Sequence, residues 1–191
     1  GSWPRLGSDG AWVPLLQARG IGVAPLKPAN CGFDVGWSDH FRQKFAGEPV
    51  KTAVLRFADF ARQGEFIITE TGVEGSLIYA VSALLREEVM ANGRATFHLD
   101  LLPDKTEAQI REALAKPRGS RSLSSHLQSR LGLKGVKVGL LRELMPTAVF
   151  ADPAQLAGVM KGVAVTVVGV RPLAEAISSA GGVLWAGLDE G

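Results

Sequence analysis

The sequence predicts an α+β protein: a small antiparallel β-barrel with a helical bundle inserted into it. Three observations carry this. Val50–Phe57 (VKTAVLRF) and Glu65–Thr69 (EFIIT) are short, β-branched runs with glycine-bearing turns, as in small antiparallel sheets and barrels. Arg94–Leu102 (RATFHLDLL) alternates apolar and polar residues with the period of a half-buried strand. From Pro103 to Gly162 the chain turns helical and more polar, and Val163–Val170 (VAVTVVGV) then returns to strand. Strands on both sides of the helical run still need partners. Residues 21–102 with 163–175 therefore read as the barrel and 103–162 as the bundle.

In chain order, Ser2–Gly10 is a glycine-punctuated loop, and Ala11–Arg19 a short amphipathic helix with Pro14 near its first turn and Gly20 closing it. Ile21–Leu26 alternates with Gly and Pro, and Lys27-Pro28-Ala29-Asn30 turns the chain. The first two strands are joined by a turn containing Arg62-Gln63-Gly64. After Gly75, residues Leu77, Ile78, Val81, Leu84 and Leu85 fall at helical spacing with Arg86, Glu87 and Glu88 on the polar side, and Gly93 ends that helix. On the next strand Ala95, Phe97, Leu99 and Leu101 face the core, and Thr96, His98 and Asp100 face solvent. Thr106-Glu107-Ala108-Gln109 fits a capping box, with Pro117 as the stop. Leu123, Leu127 and Leu131 repeat before Gly132. Leu140, Leu141 and Leu144 end at Pro146. Asp152-Pro153 opens a last helix that Gly162 stops.

Composition bounds the function. The chain has 191 residues, 46% hydrophobic and 21% charged, which is a globular profile and excludes a disordered tail. No apolar run reaches the roughly 18 residues of a membrane span. A net charge of +2, with the signs interspersed, demands no nucleic acid or membrane surface as partner. The single cysteine, Cys31, excludes an internal disulfide and a Cys-based zinc cluster, and points to a reducing, cytoplasmic setting. The opening Gly1-Ser2-Trp3-Pro4, without Met or leader, and the end at Leu188-Asp189-Glu190-Gly191 suggest a piece of a longer protein.

Three glycine-rich stretches could carry chemistry. Thr69–Ser76 (TETGVEGS) joins a strand to a helix, where glycines let a ligand approach the backbone and free amides favour an anion or an electron-rich ring. A tight turn capped by Ser76 is the simpler explanation. Trp3–Ala11 is neither a P-loop nor a G-x-G-x-x-G fingerprint and reads as a loop. Ala174–Val183 holds a Gly-Gly pair that a hairpin turn accounts for. His40 in a loop, His98 on a strand and His126 on the polar side of a helix have no metal-ligand spacing. Lys116, Arg118, Arg121, Arg130, Lys134 and Lys137 gather in the helical region, diluted by Glu107, Glu112 and Glu143; a solvated helix face accounts for them better than a DNA-binding helix-turn-helix.

Taken together, these stretches resemble the flavoproteins known as NAD(FAD)-utilising dehydrogenases, with aminoacetone-oxidase-like and bile-acid-reductase-like members. The matching segments are Gly1–Gly10, then Thr71-Gly72-Val73-Glu74-Gly75-Ser76, then Asp100-Leu101-Leu102-Pro103, then Ala174-Glu175 with Gly181-Gly182-Val183. Glu74 and Ser76 stand where much of that family has Ser and Pro, which marks a distinct subfamily. The resemblance implies the inserted middle domain of such a protein, a barrel similar to those of translation factors plus a small helical bundle. Residues 1–20 and 176–191 would be stubs of the surrounding FAD-binding domain. It implies that Ser2, Pro4, Gly7 and Gly10 lie near the flavin, that Thr71, Gly72 and Gly75 approach the flavin ring or substrate, and that Gly181 and Gly182 return to the FAD domain. FAD would belong to the full-length parent and not be bound by this chain alone. The implied role is a substrate-covering domain of an NAD(P)H-type oxidoreductase, inactive alone, with no nameable catalytic residue and no metal. Its partners would be the missing FAD-binding domain and a small-molecule substrate, with no nucleic acid and no membrane. The alternative is a non-enzymatic module that binds a protein or nucleic acid through the barrel or bundle.

Overall fold

The computed structural model describes residues 2–187; Gly1 and residues 188–191, the outermost parts of the two expected stubs, lie outside them. A 3-10 turn (Pro4–Leu6) and α1 (Trp12–Gln17) lead into β1 (Val23–Ala29). Then come β2 (Phe33–Asp34), α2 (Asp39–Phe45), β3 (Pro49–Phe57), β4 (Phe60–Ile68) and β5 (Gly72–Glu74), followed by the long α3 (Ser76–Asn92) and β6 (Ala95–Asp100). The helical run holds α4 (Glu107–Ala115), α5 (Leu123–Leu131), α6 (Val136–Leu144) and α7 (Pro153–Met160). The described chain closes with β7 (Val163–Val167), β8 (Gly169–Val170) and β9 (Ser178–Val183).

All strand pairs are antiparallel, as the short runs and tight turns dictate. Seven strands form one sheet in the order β7-β6-β3-β4-β5-β2-β8, and β1 with β9 forms a separate ribbon. The outer strands β7 and β8 are successive parts of one segment, broken only at Val168, whose amide donates to Asp34 O at 2.9 Å. The sheet therefore curls until one length of chain supplies both its edges. No closed hydrogen-bonded ring is present among the described residues, so the expected barrel takes an open form.

The inward faces of the sheet contribute Leu55, Phe66, Ile68, Phe97, Leu99, Val163 and Val165, and α3 lays Leu77, Ile78, Val81 and Leu85 against them, all buried. Each such side chain removed from water stabilises by roughly 1.5–3 kcal/mol. Ile110, Leu127, Leu131, Leu140, Leu141, Leu156 and Met160 continue the same core into the helical run. The local signals there hold: Thr106 and Gln109 form a full capping box, Asp152 caps α7, and α3 and α5 end on left-handed Gly93 and Gly132.

Seven readings are corrected by the structure. Arg62-Gln63-Gly64 lies inside β4, and the hairpin turns at Ala58-Asp59, because Phe57 pairs with Phe60 around a two-residue loop. Lys27–Ala29 is strand β1, and Gly181-Gly182 lies in β9 with φ of 90° and 108°, where it meets a register shift between Ala24 and Lys27. His40 stands on α2, whose N-cap Ser38 accepts from Phe41 N. Asp100 is buried, because Lys161 Nζ reaches it at 2.6 Å and Leu102 N donates to it at 3.0 Å. His126 is also buried, and α1 buries no residue. Among the described residues no helix is long and apolar enough to cross a membrane.

Candidate functional site at the ribbon neck

The ribbon meets the body at Asn30–Asp34, where β1 crosses into β2. Asn30 takes a positive φ of 47°, which lets its backbone and side chain bond in several directions. Its amide donates to Ser82 Oγ on α3 (3.1 Å), its Nδ2 to Ser178 Oγ on β9 (2.9 Å), and its carbonyl accepts from Ile177 N (3.2 Å). Arg86 Nη1 donates to Pro28 O at 2.6 Å and also holds Glu87, which pairs with Lys27 at 3.7 Å. The Arg86 side chain beside Glu87, with Lys27 second, holds the Glu87 carboxyl below its ordinary pKa. The ribbon is thus fastened to α3 by polar contacts at one end.

On the other side of the neck, Arg171 donates to Asp34 Oδ1 (3.0 Å) and, through both arms of its fork, to Glu175 (2.8 Å each). These bonds raise its pKa further and fix the guanidinium in place. Gly32 fits under it only because it lacks a side chain: a Cβ there would meet Val73 O at 3.0 Å and Arg171 Cγ at 3.2 Å. Cys31 between them is fully buried, and burial pushes its thiol pKa up.

Thr71, Gly72 and Gly75 lie on the opposite edge of β2. Gly72 N donates to Thr69 Oγ1 (2.8 Å), and Gly72 O accepts from Thr69 N (2.9 Å) and from the Trp37 indole (3.0 Å). Val35 N donates to Thr71 O at 2.8 Å. Gly72 sits against the Phe33–Val35 backbone so closely that a Cβ would stand 2.8 Å from Asp34 Cα and Val35 N. Gly75 turns the chain into α3 with φ of 102°, and Ser76 does not cap the helix but donates to Glu65 O at 3.2 Å. Burial, and next the nearby Glu74 charge, raise the Tyr79 pKa one turn on.

The nine sequence-predicted residues fall into two groups. On the ribbon side Ser2 Oγ donates to Ile177 O at 3.4 Å and Gly181 and Gly182 lie across from β1, while Pro4, Gly7 and Gly10 lie on the segment leading into α1, which contacts β1. Gly7 and Gly10 take left-handed φ of 90° and 78°. Among the described residues no hydrogen bond joins this group to Thr71, Gly72 and Gly75. Sequence reasoning missed Asn30, Ser82, Arg86, Asp34 and Arg171. The spacing Arg171-x-x-x-Glu175 after a strand was the one local signal; the other partners are remote in sequence.

The same ribbon side concentrates exposed apolar groups. Trp3, Leu6, Leu15, Ile177, Leu184 and Trp185 all stand open, Trp185 at 86%. Ile177, Leu184 and Trp185 flank β9, where Leu184 N donates to Gly22 O, and Trp3, Leu6 and Leu15 lie on the segment that leads into β1. Among the described residues no three His, Cys, Asp or Glu side chains come together as a metal ion requires.

Residues 27–178 match the family model described as HI0933-like protein barrel and H2TH domain. The match begins inside β1 and ends at Ser178, which pairs directly with Ala29, so the matched unit is bounded at the neck. No curated protein matches the chain.

Proposed function

Because the chain belongs to the HI0933-like barrel and H2TH family, a domain of HI0933-type flavoproteins, we propose that it is the inserted, substrate-covering domain of an FAD-dependent NAD(P)H-type oxidoreductase. The observation that supports this most is that the majority of the exposed large apolar side chains flank the ribbon, while the matched body buries most of its own and exposes Ile67, Leu84, Met90 and Val168. A surface of that kind fits a partner domain better than open water. In this reading residues 1–20 and 176–191 belong to that partner domain, and the ribbon neck is the hinge between the two.

The sequence has no strand, G-x-G-x-x-G and helix unit to cradle a pyrophosphate, so the FAD site is assigned to the partner domain. FAD, when bound there, accepts and passes on a hydride. Ser2, Pro4, Gly7, Gly10, Gly181 and Gly182 would face it from the ribbon side. Thr71, Gly72 and Gly75 would present a rigid backbone wall towards substrate. The domain's contribution would be to close the flavin pocket and exclude water.

The test compares the complete flavoprotein with a version in which residues 27–178 are replaced by a short linker. FAD should stay bound, the reduced flavin should react faster with oxygen, and substrate turnover should be lost. Normal turnover without the unit refutes the covering role. Micromolar FAD binding by this chain alone refutes the placement of the cofactor.

A further inference from the structure

A separate cavity of about 310 Å³ lies between α2, the start of α5 and α6. That is about ten water volumes and at the small end of ligand pockets. Its floor is apolar. Phe41 and Phe45 stand 5.0 Å apart, and Phe41 continues into Trp37 at 4.7 Å. Gly139 lets the Phe45 ring lie directly on the α6 backbone, where a Cβ would come within 2.7 Å of Cζ. Val138 completes the floor.

Its mouth is cationic. Lys44, Lys134 and Arg142 line it, and none of the three makes an ion pair among the described residues. Arg142 is aimed by Ser124 Oγ at 2.9 Å. The one carboxylate in the lining, Glu143, is already engaged: Ser38 donates to it through N at 2.6 Å and Oγ at 2.8 Å. An apolar, aromatic floor beneath three cations and a single carboxylate leaves a net positive mouth, which matches a flat apolar body carrying one negative charge.

We propose that this cavity binds a small organic acid of the aryl carboxylate class, its ring on Phe41 and Phe45 and its carboxylate between Arg142 and Lys134. The site is independent of the flavoprotein reading, since none of its residues lies at the ribbon neck.

The test is a calorimetric titration of the chain with 2-naphthoate, beside its neutral isostere 2-naphthamide. Naphthoate should bind at one saturable site, and the amide at least tenfold more weakly. The double variant Lys134→Gln/Arg142→Gln, changed only at exposed positions, should bind naphthoate about tenfold more weakly. Ser124→Phe, which fills the mouth, should abolish binding with an unchanged circular dichroism spectrum. Equal affinity for acid and amide overturns the proposal. So does absence of naphthoate binding at millimolar concentration, or binding that the double variant leaves unchanged.

Discussion

Gly72→Ala is the sharpest single test of the neck geometry. Gly72 has no left-handed φ to lose, so the whole effect is steric. The new Cβ would lie 2.8 Å from Asp34 Cα and Val35 N, and closer still to Phe33 O, where real Cβ contacts almost never fall below 3.0 Å. All three neighbours are backbone and cannot swing aside, so β5 must lift from β2. Four bonds then weaken together: Gly72 N to Thr69 Oγ1, Thr69 N and Trp37 Nε1 to Gly72 O, and Val35 N to Thr71 O. At about 1 kcal/mol each, with partial relaxation, the loss is about 2–4 kcal/mol. For a chain of this size that lowers Tm by roughly 4–16 °C. Urea melts at constant m-value measure it, with Gly36→Ala as control, since no heavy atom lies within 4 Å of a Cβ at Gly36. The control should stay within about 0.5 kcal/mol of the parent. A Gly72→Ala loss below about 1 kcal/mol, or equal to the control, would refute the reasoning.

Other expectations concern buried polar groups. The Cys31 thiol is fully buried, so iodoacetamide should leave it unmodified in the native chain and modify it fully in urea. Its folded pKa is raised above the ordinary 9.0 by burial, so the neutral thiol is favoured on folding; that contribution is complete below pH 9 and is lost as pH rises further. The stability difference between the parent and Cys31→Ala should therefore shrink in alkaline melts. His126 leaves Nδ1 buried without a partner, so His126→Leu should be neutral or stabilising by up to about 1 kcal/mol; a clear destabilisation in thermal melts would contradict this. Asp100→Ala should cost about 3 kcal/mol, because it strands Lys161 and frees the Leu102 amide, and an unchanged urea midpoint would show that the Lys161 bonds to Leu102 O and Lys105 O suffice.

How far the sequence alone reached depends on the range of each signal. The Thr106 capping box and the span of α3 up to Gly93 are written within a few residues of one another and stand as read, and on β6 the alternation holds as far as Leu99; on α3, however, Leu84 is exposed and Arg86 is buried. The ribbon was hidden because Pro25, Pro28, Gly181 and Gly182 are strand breakers by propensity, and only pairing between distant parts of the chain overrides that. Asp100 looked like a solvent-facing alternation residue because Lys161, its partner, is far along the chain. At the neck the glycines were visible as glycines, but the reason for Gly72 lies in the backbone of Phe33–Val35. Arg171 and Asp34 likewise meet only in the fold.

The segment 163–170 supplies both edges of the sheet, one through β7 on β6 and the other through β8 on β2. On a ribosome every other strand of that sheet emerges earlier, so the nascent sheet waits with two bare edges while the helical run is made. The late segment then closes a loop back to Phe33-Asp34, a slow, entropy-limited step in chain-folding terms. The same arrangement couples the edges in reverse. Peeling this one segment away exposes two rows of unpaired amides and carbonyls at once, so partial opening of the sheet leads to self-association and not to a benign frayed end.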